Sequence, residues 1–227
     1  MAKIRKQVLG KVSGAIGDLT FRVKNGMGFI GTRPNSFTPG NDLASVARRL
    51  RFSIAVKYAK SVNELASLRT IWKQYKSPAQ SAFNYIMKYN YHAVLPDDVS
   101  GTVSMVPDIG FSVNINSSEI QQHAITAKIS PIGNFSEIDP ALETKIQLAC
   151  VAFFKSPVSD EFSPYHFLSL LSKEESLSLT DPIDFTIALA DQQSQLFSQY
   201  NTHKLFFAFV THDPTGKPIH FSNTYEK

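Results

Sequence analysis

The sequence is short of cysteine and of long apolar runs. Cys150 is the single cysteine in 227 residues, so no intramolecular disulfide can form. No run of apolar residues approaches the ~20 that a membrane-spanning helix needs. Lys11 interrupts the short apolar stretch near the N-terminus, which argues against a secretory signal peptide. From these absences we expect a protein with no membrane partner, located in the cytoplasm or in a virion.

Enzyme motifs are also lacking. The sequence contains no Walker A, GxSxG or HExxH motif. Its six histidines are scattered, and the last hairpin would let His212 and His220 face each other close to Asp213. Two histidines and one acid in a hairpin make a weak metal site. We therefore expect no metal, no cofactor and no enzymatic activity.

Acidic residues are scarce in the first quarter of the chain. Residues 1–60 contain two acids, Asp18 and Asp42, against 12 lysines and arginines, which is a formal charge of +10. The remaining residues contain 11 basic and 17 acidic side chains, or −6. This asymmetry predicts that the basic end contacts something anionic. The anion is a nucleic acid, an acidic protein surface or the acidic part of a neighbouring copy; a solvated surface without a partner is the remaining alternative.

The composition is that of a globular protein. Hydrophobic residues make up 43% of the chain, aromatic residues 11% and charged residues 19%. These values exclude disordered, collagen-like and coiled-coil proteins. At ~100–200 residues per domain, the length allows one large domain or two small ones.

Residues 18–33 predict a β-hairpin around Asn25-Gly26, because both turn residues tolerate the positive φ of a type I′ turn. Strand alternation places the following apolar side chains on one face: Phe21, Val23 and, as a further candidate, Phe29. The basic side chains near the other face are Arg22, Lys24 and Arg33. Since a lone hairpin is marginal in water, we expect it to dock on its own domain or on another subunit.

Apolar residues at helical spacing predict three helices after the turn-rich segment 34–40. Their expected bounds are Asn41 or Asp42 to about Lys60, Val62–Tyr75 and Pro78–Tyr91. The apolar face of the first helix consists of Leu43, Val46, Ala47, Leu50, Ile54 and Tyr58. Three arginines lie on its other faces, Arg48, Arg49 and Arg51, with Arg48 and Arg51 one turn apart. The aromatic stripe around Trp72 is typical of a core, although such rings can also stack on bases.

Short alternating strands replace the helical pattern after a junction at 95–101. The expected strands are Gly101–Val106, Gly110–Asn116, Ala124–Ile129, Lys145–Phe154, Phe167–Leu171, Asp184–Ala190, Leu205–Thr211 and Ile219–Asn223. The most apolar of them, 145–154 and 205–210, should be central. Residues 192–202 should form a helical turn or a long loop. The fold class is therefore α+β, with an N-terminal β-hairpin and helical segment followed by an antiparallel immunoglobulin-like β-sandwich. The expected regions are 1–40, 41–95 and 100–227.

A set of glycine, arginine and proline positions marks the first 60 residues: Gly10–Gly17, Phe21-Arg22, Asn25-Gly26, Thr32–Pro34, Arg48–Phe52 and Ala59–Ser61. This pattern resembles a family of uncharacterised bacterial and phage-associated proteins known only as a domain of unknown function. Members usually carry a basic residue where this chain has Ala15. The resemblance implies no activity, cofactor or catalytic residue. It implies a helical-plus-hairpin head joined to an immunoglobulin-like sandwich, and a structural or phage-linked role.

The sequence thus favours a non-enzymatic structural or assembly protein, which includes a phage virion component. The basic N-terminal region would dock to a partner subunit or a neighbouring copy, giving a homo-oligomer. The expected partner-binding residues are Arg22, Lys24, Arg33, Arg48, Arg49 and Arg51. The alternative is a nucleic-acid-binding protein that uses the same region, although no helix-turn-helix, zinc finger or RNP motif is present.

Overall fold

The computed structural model describes residues 2–4, 13–24, 26–33, 36, 38–133 and 137–227, with the backbone alone at 2–4. The protein is α+β, with helices and several antiparallel sheets. It divides into two compact units, Met1–Val46 and Ala47–Lys227. The expected junction at 95–101 does not coincide with this division. The following positions of interest in the sequence lie outside the described residues: Gly10–Val12, Asn25, Pro34 and Asn35.

The described residues of the first unit form an antiparallel sheet. Its strands are β1 (Ala2–Ile4), β2 (Gly14–Ile16), β3 (Leu19–Lys24) and β4 (Met27–Thr32), in the order β1-β4-β3-β2. Lys24 pairs with Met27, which leaves a two-residue connection that contains Gly26 at a φ of 77°. The predicted hairpin is therefore confirmed, and its turn uses the positive φ that glycine tolerates.

Four helices form in the described residues, and none is long and apolar enough to cross a bilayer. They are α1 (Leu43–Glu64), α2 (Ala66–Tyr75), α3 (Ala82–Asn90) and α4 (Asp191–Gln199), with a 3₁₀ turn at Tyr91–Ala93. The Asp42 carboxylate caps α1 by accepting from the Ser45 amide at 2.9 Å. The helix expected from Pro78 begins later, because the Ser81 hydroxyl accepts from the Asn84 amide at 3.2 Å and caps α3.

The expected apolar face of α1 is buried only in its second half. Ile54 and Tyr58 are fully buried, whereas Leu43 and Leu50 are exposed. The prediction that all of this face packs into the core was therefore wrong for the first two turns. Apolar spacing alone does not say where along a helix its packing partner begins.

The second unit contains eight strands within its described residues. They are β5 (Ile115–Gln121), β6 (Ala124–Ile129), β7 (Lys145–Pro157), β8 (Tyr165–Ser176), β9 (Ile183–Ala188), β10 (Tyr200–His212), β11 (Pro218–Phe221) and β12 (Tyr225–Glu226). One sheet has the order β11-β10-β7-β8, with β12 also paired to β10, and the other has the order β5-β6-β9. The two most apolar strands, β7 and β10, are both interior, as predicted.

The five-stranded sheet is buried on both faces. On one face Val151 and Phe153 of β7 lie in a hydrophobic cluster with Ile54 and Trp72 of the helices. On the other face, Cys150 and other β7 residues pack with side chains of the three-stranded sheet. The second unit is therefore layered as helices, five-stranded sheet and three-stranded sheet. Burial on both faces explains why β7 reads as a continuous apolar run instead of an alternating one.

Residues 101–106 are not the strand that the sequence predicts. Polar side chains bind their backbone instead: the Asn90 amide oxygen accepts from Ser104 N at 2.6 Å, and the Thr224 hydroxyl accepts from Met105 N at 2.8 Å. The strand expected at Gly110–Asn116 forms further along, at β5. Neither change could be read from local alternation, because the competing partners are distant in sequence.

The loop before residue 101 is held by an ion-pair network. The Asp98 carboxylate lies 2.7 Å from Lys155 Nζ and 3.1 Å from Lys204 Nζ. Lys204 Nζ also donates to the Val99 carbonyl oxygen at 2.7 Å. Two lysines from β7 and β10 therefore fix the end of the helical layer to the sheet.

Candidate partner-binding surface and a buried carboxylate–histidine pair

The first unit has an apolar face on its sheet. Strand pairing places Ile16 opposite Leu19, and Phe21 opposite Ile30, on the same side as Val23. We call these five residues the apolar sheet face. Ile16 is 66% exposed, Leu19 41% and Val23 37%. Among the described residues of this unit Gly28 alone is buried, so the sheet has no core of its own there.

The opposite face of the same sheet carries basic side chains. Arg22 and Lys24 project from it, and both are exposed. Phe29 pairs with Arg22 in the hairpin, so it lies on this basic face. The expectation that Phe29 joins Phe21 and Val23 was therefore wrong, because the hairpin register moves it to the other side.

The remaining expected partner-binding residues have different surroundings. Arg33 follows β4 and is exposed, and its backbone N–H donates to the Asp18 carbonyl oxygen. Arg48 and Arg49 are exposed on α1. Arg51 donates from Nε to the Tyr91 carbonyl oxygen at 3.1 Å.

Arg51 makes further contacts within the chain. Its Nη2 donates to the His92 carbonyl oxygen at 2.8 Å, and its guanidinium lies 4.8 Å from the centre of the Tyr91 ring. These contacts tie α1 to the 3₁₀ turn that follows α3. We therefore assign Arg51 a structural role within the chain.

A buried carboxylate–histidine pair was not anticipated from the sequence. The Glu143 side chain is 1% exposed, and its Oε1 lies 2.9 Å from His220 Nδ1. The same carboxylate accepts from the Asp139 amide at 3.0 Å and from the Thr211 hydroxyl. A carboxylate only accepts hydrogen bonds, so the hydrogen of the pair is on Nδ1 and His220 presents Nε2 on its other side.

His212 and His220 do not face each other as expected. In the β10–β11 ladder, His212 is opposite Pro218 and Val210 is opposite Phe221. His212 Nε2 instead lies 3.1 Å from the Ser67 hydroxyl. Burial lowers the pKa of His212, and nearby Lys145 lowers it further, against the raising effect of acidic neighbours. No group of three or more histidine, cysteine or acidic residues close enough to hold a metal occurs among the described residues.

Two observations limit the chemistry of the Glu143–His220 pair. Ser112 lines the same cavity as His220, but its hydroxyl is placed to accept from Asn223 Nδ2 at 3.3 Å. In the part of the chain that the structure describes, the Ser112 hydroxyl makes no hydrogen bond with His220. The arrangement therefore lacks the nucleophile-to-base contact of a catalytic triad.

Sequence reasoning had little means of finding this pair. The partners are 77 residues apart, in a loop and on a late strand, and no fixed spacing joins them. The one available signal is Glu143 itself, an acid two residues before the most apolar strand. An acidic side chain that is buried because the adjacent strand is buried needs a hydrogen-bonding partner there. Comparison of the sequence with protein-family models gives no match, and comparison with curated protein sequences gives none either.

Proposed function

We propose that this chain is a non-enzymatic assembly protein that docks its N-terminal sheet on another protein subunit. The observation that carries the proposal is the apolar sheet face, where Ile16, Leu19 and Val23 are all more than one-third exposed. Small sheets are stable in water when one face is covered. Contiguous exposed apolar surface on a folded chain is typical of an interaction site.

Charge makes a neighbouring copy of this chain the favoured partner. Residues 1–60 carry +10 and the remainder −6, so the two parts attract in an intermolecular contact. Arg22 and Lys24 project from the opposite face of the sheet, where they can pair with carboxylates of a second neighbouring copy. Such pairing fixes orientation, whereas burial of the apolar face supplies affinity.

The first half of α1 supports the same proposal. Leu50 and Phe52 are 44% and 51% exposed, and Arg48 and Arg49 are their chain neighbours. Apolar side chains flanked by arginine are typical of protein interfaces. Leu50 and Phe52 project from different sides of the helix, about 200° apart, so each offers a separate apolar contact for an assembling copy.

We also infer that the two sheets of the second unit form an immunoglobulin-like sandwich. Strands β5, β6 and β9 form one sheet, and β7, β8, β10 and β11 form the other. In constant-type immunoglobulin domains, the third, sixth and seventh of the seven strands form one sheet. The strands at the same places in the second unit, β7, β10 and β11, also share a sheet, and β8 joins them. The phage-linked resemblance of the first 60 residues makes a virion lattice, assembled from cytoplasmic subunits, the first assembly to test.

Nucleic-acid binding is the second candidate. It is favoured by the basic face, where Arg22 and Lys24 flank the aromatic ring of Phe29. Phe29 is half-buried, and an aromatic ring with cations beside it can stack on the bases of a single strand. The two candidates use opposite faces of the same strand, β3, and can therefore be separated by matched variants.

Sedimentation of the full chain, with and without nucleic acid, tests the proposal. Leu19→Thr/Val23→Thr removes apolar area while keeping residues that favour strands. We expect it to lower the mass of the oligomer at a given concentration, whereas the matched variant Arg22→Gln/Lys24→Gln keeps oligomers whose mass depends less on salt. A wild-type chain that is monomeric at 100 µM would overturn the proposal. A monomer whose binding to single-stranded DNA weakens steeply with salt, in a way that needs Arg22 and Lys24, would establish the second candidate.

A further inference from the structure

A cavity of about 670 Å³ opens beside His220. It lies within the second unit, between the end of α2, the segment before β5 and strand β11. This volume is typical of sites for small organic molecules. Polar and apolar surface contribute about equally to its walls, and three aromatic residues are among those that line it: Tyr75, Phe111 and Phe221. The Tyr75 and Phe221 rings meet edge to face with their centres 6.0 Å apart, so this wall is formed by packed side chains.

Two polar groups of the cavity wall can hold a ligand. One is His220, whose side chain is 40% exposed and whose Nδ1–H is held by buried Glu143. Its Nε2 makes no hydrogen bond among the described residues, and in the neutral ring it is an acceptor. The other is Glu137, an exposed carboxylate in the segment between β6 and β7. Both groups accept hydrogen bonds and neither brings a fixed positive charge.

The charged groups of the cavity wall favour a ligand of one charge. No lysine or arginine is among the described residues that line the cavity. An anion would therefore meet the Glu137 carboxylate, with Glu143 behind the histidine and no compensating cation. An ammonium group would instead find a carboxylate, an imidazole acceptor and the faces of aromatic rings, which attract cations.

We propose that this cavity binds a small organic cation, a primary ammonium carried on an apolar body. Glu137 pairs with the ammonium, and His220 Nε2 accepts one of its N–H groups. The rings of Tyr75, Phe111 and Phe221 cover the apolar part. Glu143 acts as a positioning residue, because its hydrogen bond to Nδ1 fixes the orientation of the imidazole. This site lies apart from the N-terminal sheet and does not depend on the assembly role.

Phenethylamine and 3-phenylpropionate test the proposal, since they offer a similar apolar body with opposite charges. Calorimetric titration of the full chain should give saturable binding of phenethylamine, with a Kd on the order of 1 mM, and at least tenfold weaker binding of 3-phenylpropionate. Phenethylamine should also shift the ring resonances of His220 in a carbon–proton correlation spectrum.

Charge reversal at the wall gives the decisive comparison. Glu137→Lys should abolish phenethylamine binding and permit 3-phenylpropionate binding. The matched control Glu161→Lys reverses an exposed glutamate outside the cavity wall and should leave both titrations unchanged. The proposal is overturned if the wild-type chain binds both probes equally or neither, or if Glu161→Lys changes binding as much as Glu137→Lys does.

Discussion

The indole Nε1 of Trp72 donates a hydrogen bond of 2.8 Å to the backbone carbonyl oxygen of Met105. Both residues are completely buried. They belong to the same hydrophobic cluster as one face of the five-stranded sheet. The bond therefore joins α2 to the segment before β5 across the region where the sequence placed a junction, and the helices act as a structural layer of the second unit.

A fragment of residues 101–227 is expected to lose its fold. It would expose the Val151, Phe153 and Phe206 side chains that α1 and α2 cover, at about 1.5–3 kcal/mol for each large side chain. Residues 47–227 contain the whole cluster and should fold. Circular dichroism and urea denaturation of both fragments measure the difference. Cooperative unfolding of 101–227 with a midpoint equal to that of 47–227 would contradict the shared core.

Substitution at Gly26 tests the hairpin of the first unit. Its φ of 77° is unfavourable for a β-branched residue, although a Cβ there would meet no atom within 4 Å. Gly26→Val should therefore cost about 1–3 kcal/mol through backbone strain alone, seen as faster amide exchange in β3 and β4.

Asparagine is the control at this position, because it tolerates a left-handed backbone. Gly26→Asn should cost less than about 1 kcal/mol by the same measurement. Equal exchange rates in the valine and asparagine variants would show that the turn conformation does not limit the stability of the hairpin.

The ion-pair network at Asp98 makes stability depend on pH. Burial raises the pKa of Asp98, but hydrogen bonds from Lys155, Lys204 and the Val99 amide outweigh it and hold the pKa below its usual value. A lowered pKa in the folded state stabilises the fold at pH values above the unfolded pKa of about 4. That contribution is lost as the pH falls through the folded pKa.

Asp98→Asn should therefore destabilise the chain by about 1–3 kcal/mol at pH 7. The difference from the wild type should shrink as the pH falls below about 4. Asp97→Asn changes an exposed neighbour and is the control, with an expected effect within about 0.5 kcal/mol. Urea denaturation between pH 3 and pH 7 measures both. A difference that stays constant with pH would exclude the ionised Asp98 as its source.

The Glu143–His220 hydrogen bond should be energetically coupled. Glu143→Gln places an amide where the carboxylate accepts from Asp139, Thr211 and His220, so one donor loses its acceptor in a buried site. We expect a loss of about 1–3 kcal/mol. The double variant with His220→Gln should lose less than the sum of the single changes, as a double-mutant cycle by urea denaturation would show. Strict additivity would mean that the two side chains do not interact.

Local chemistry accounts for the parts of the fold that the sequence predicts. Gly26 and Gly216 both adopt positive φ in hairpin turns, and the Asp213 carboxylate accepts from the Thr215 and Lys217 amides in the second of them. The apolar runs of β7 and β10 likewise require burial wherever they lie. Such features depend on neighbours within a few residues and are visible in any window of the sequence.

Long-range partners account for the parts that sequence reasoning missed. Residues 101–106 avoid a strand because Asn90 and Thr224 bind their backbone. Phe29 changes face because of hairpin register, and Arg51 finds its acceptors at Tyr91 and His92. The Glu143–His220 pair exists only once β11 lies beside the loop that precedes β7. Each of these outcomes depends on a contact between segments that are distant in sequence or on a register that composition does not specify.

The pairing of β7 with β10 has a consequence for folding kinetics. The ladder keeps one register from Tyr200 opposite Pro157 to His212 opposite Lys145. The chain between these two strands contains β8, β9 and α4. Both hydrophobic clusters draw side chains from these two strands, and neither can assemble before the ladder closes. Closing such a long-range pairing is slow, because the entropy of the intervening chain is lost before any burial compensates it. The helical layer and the three-stranded sheet should therefore form together in one cooperative step whose rate is set by this single pair of strands.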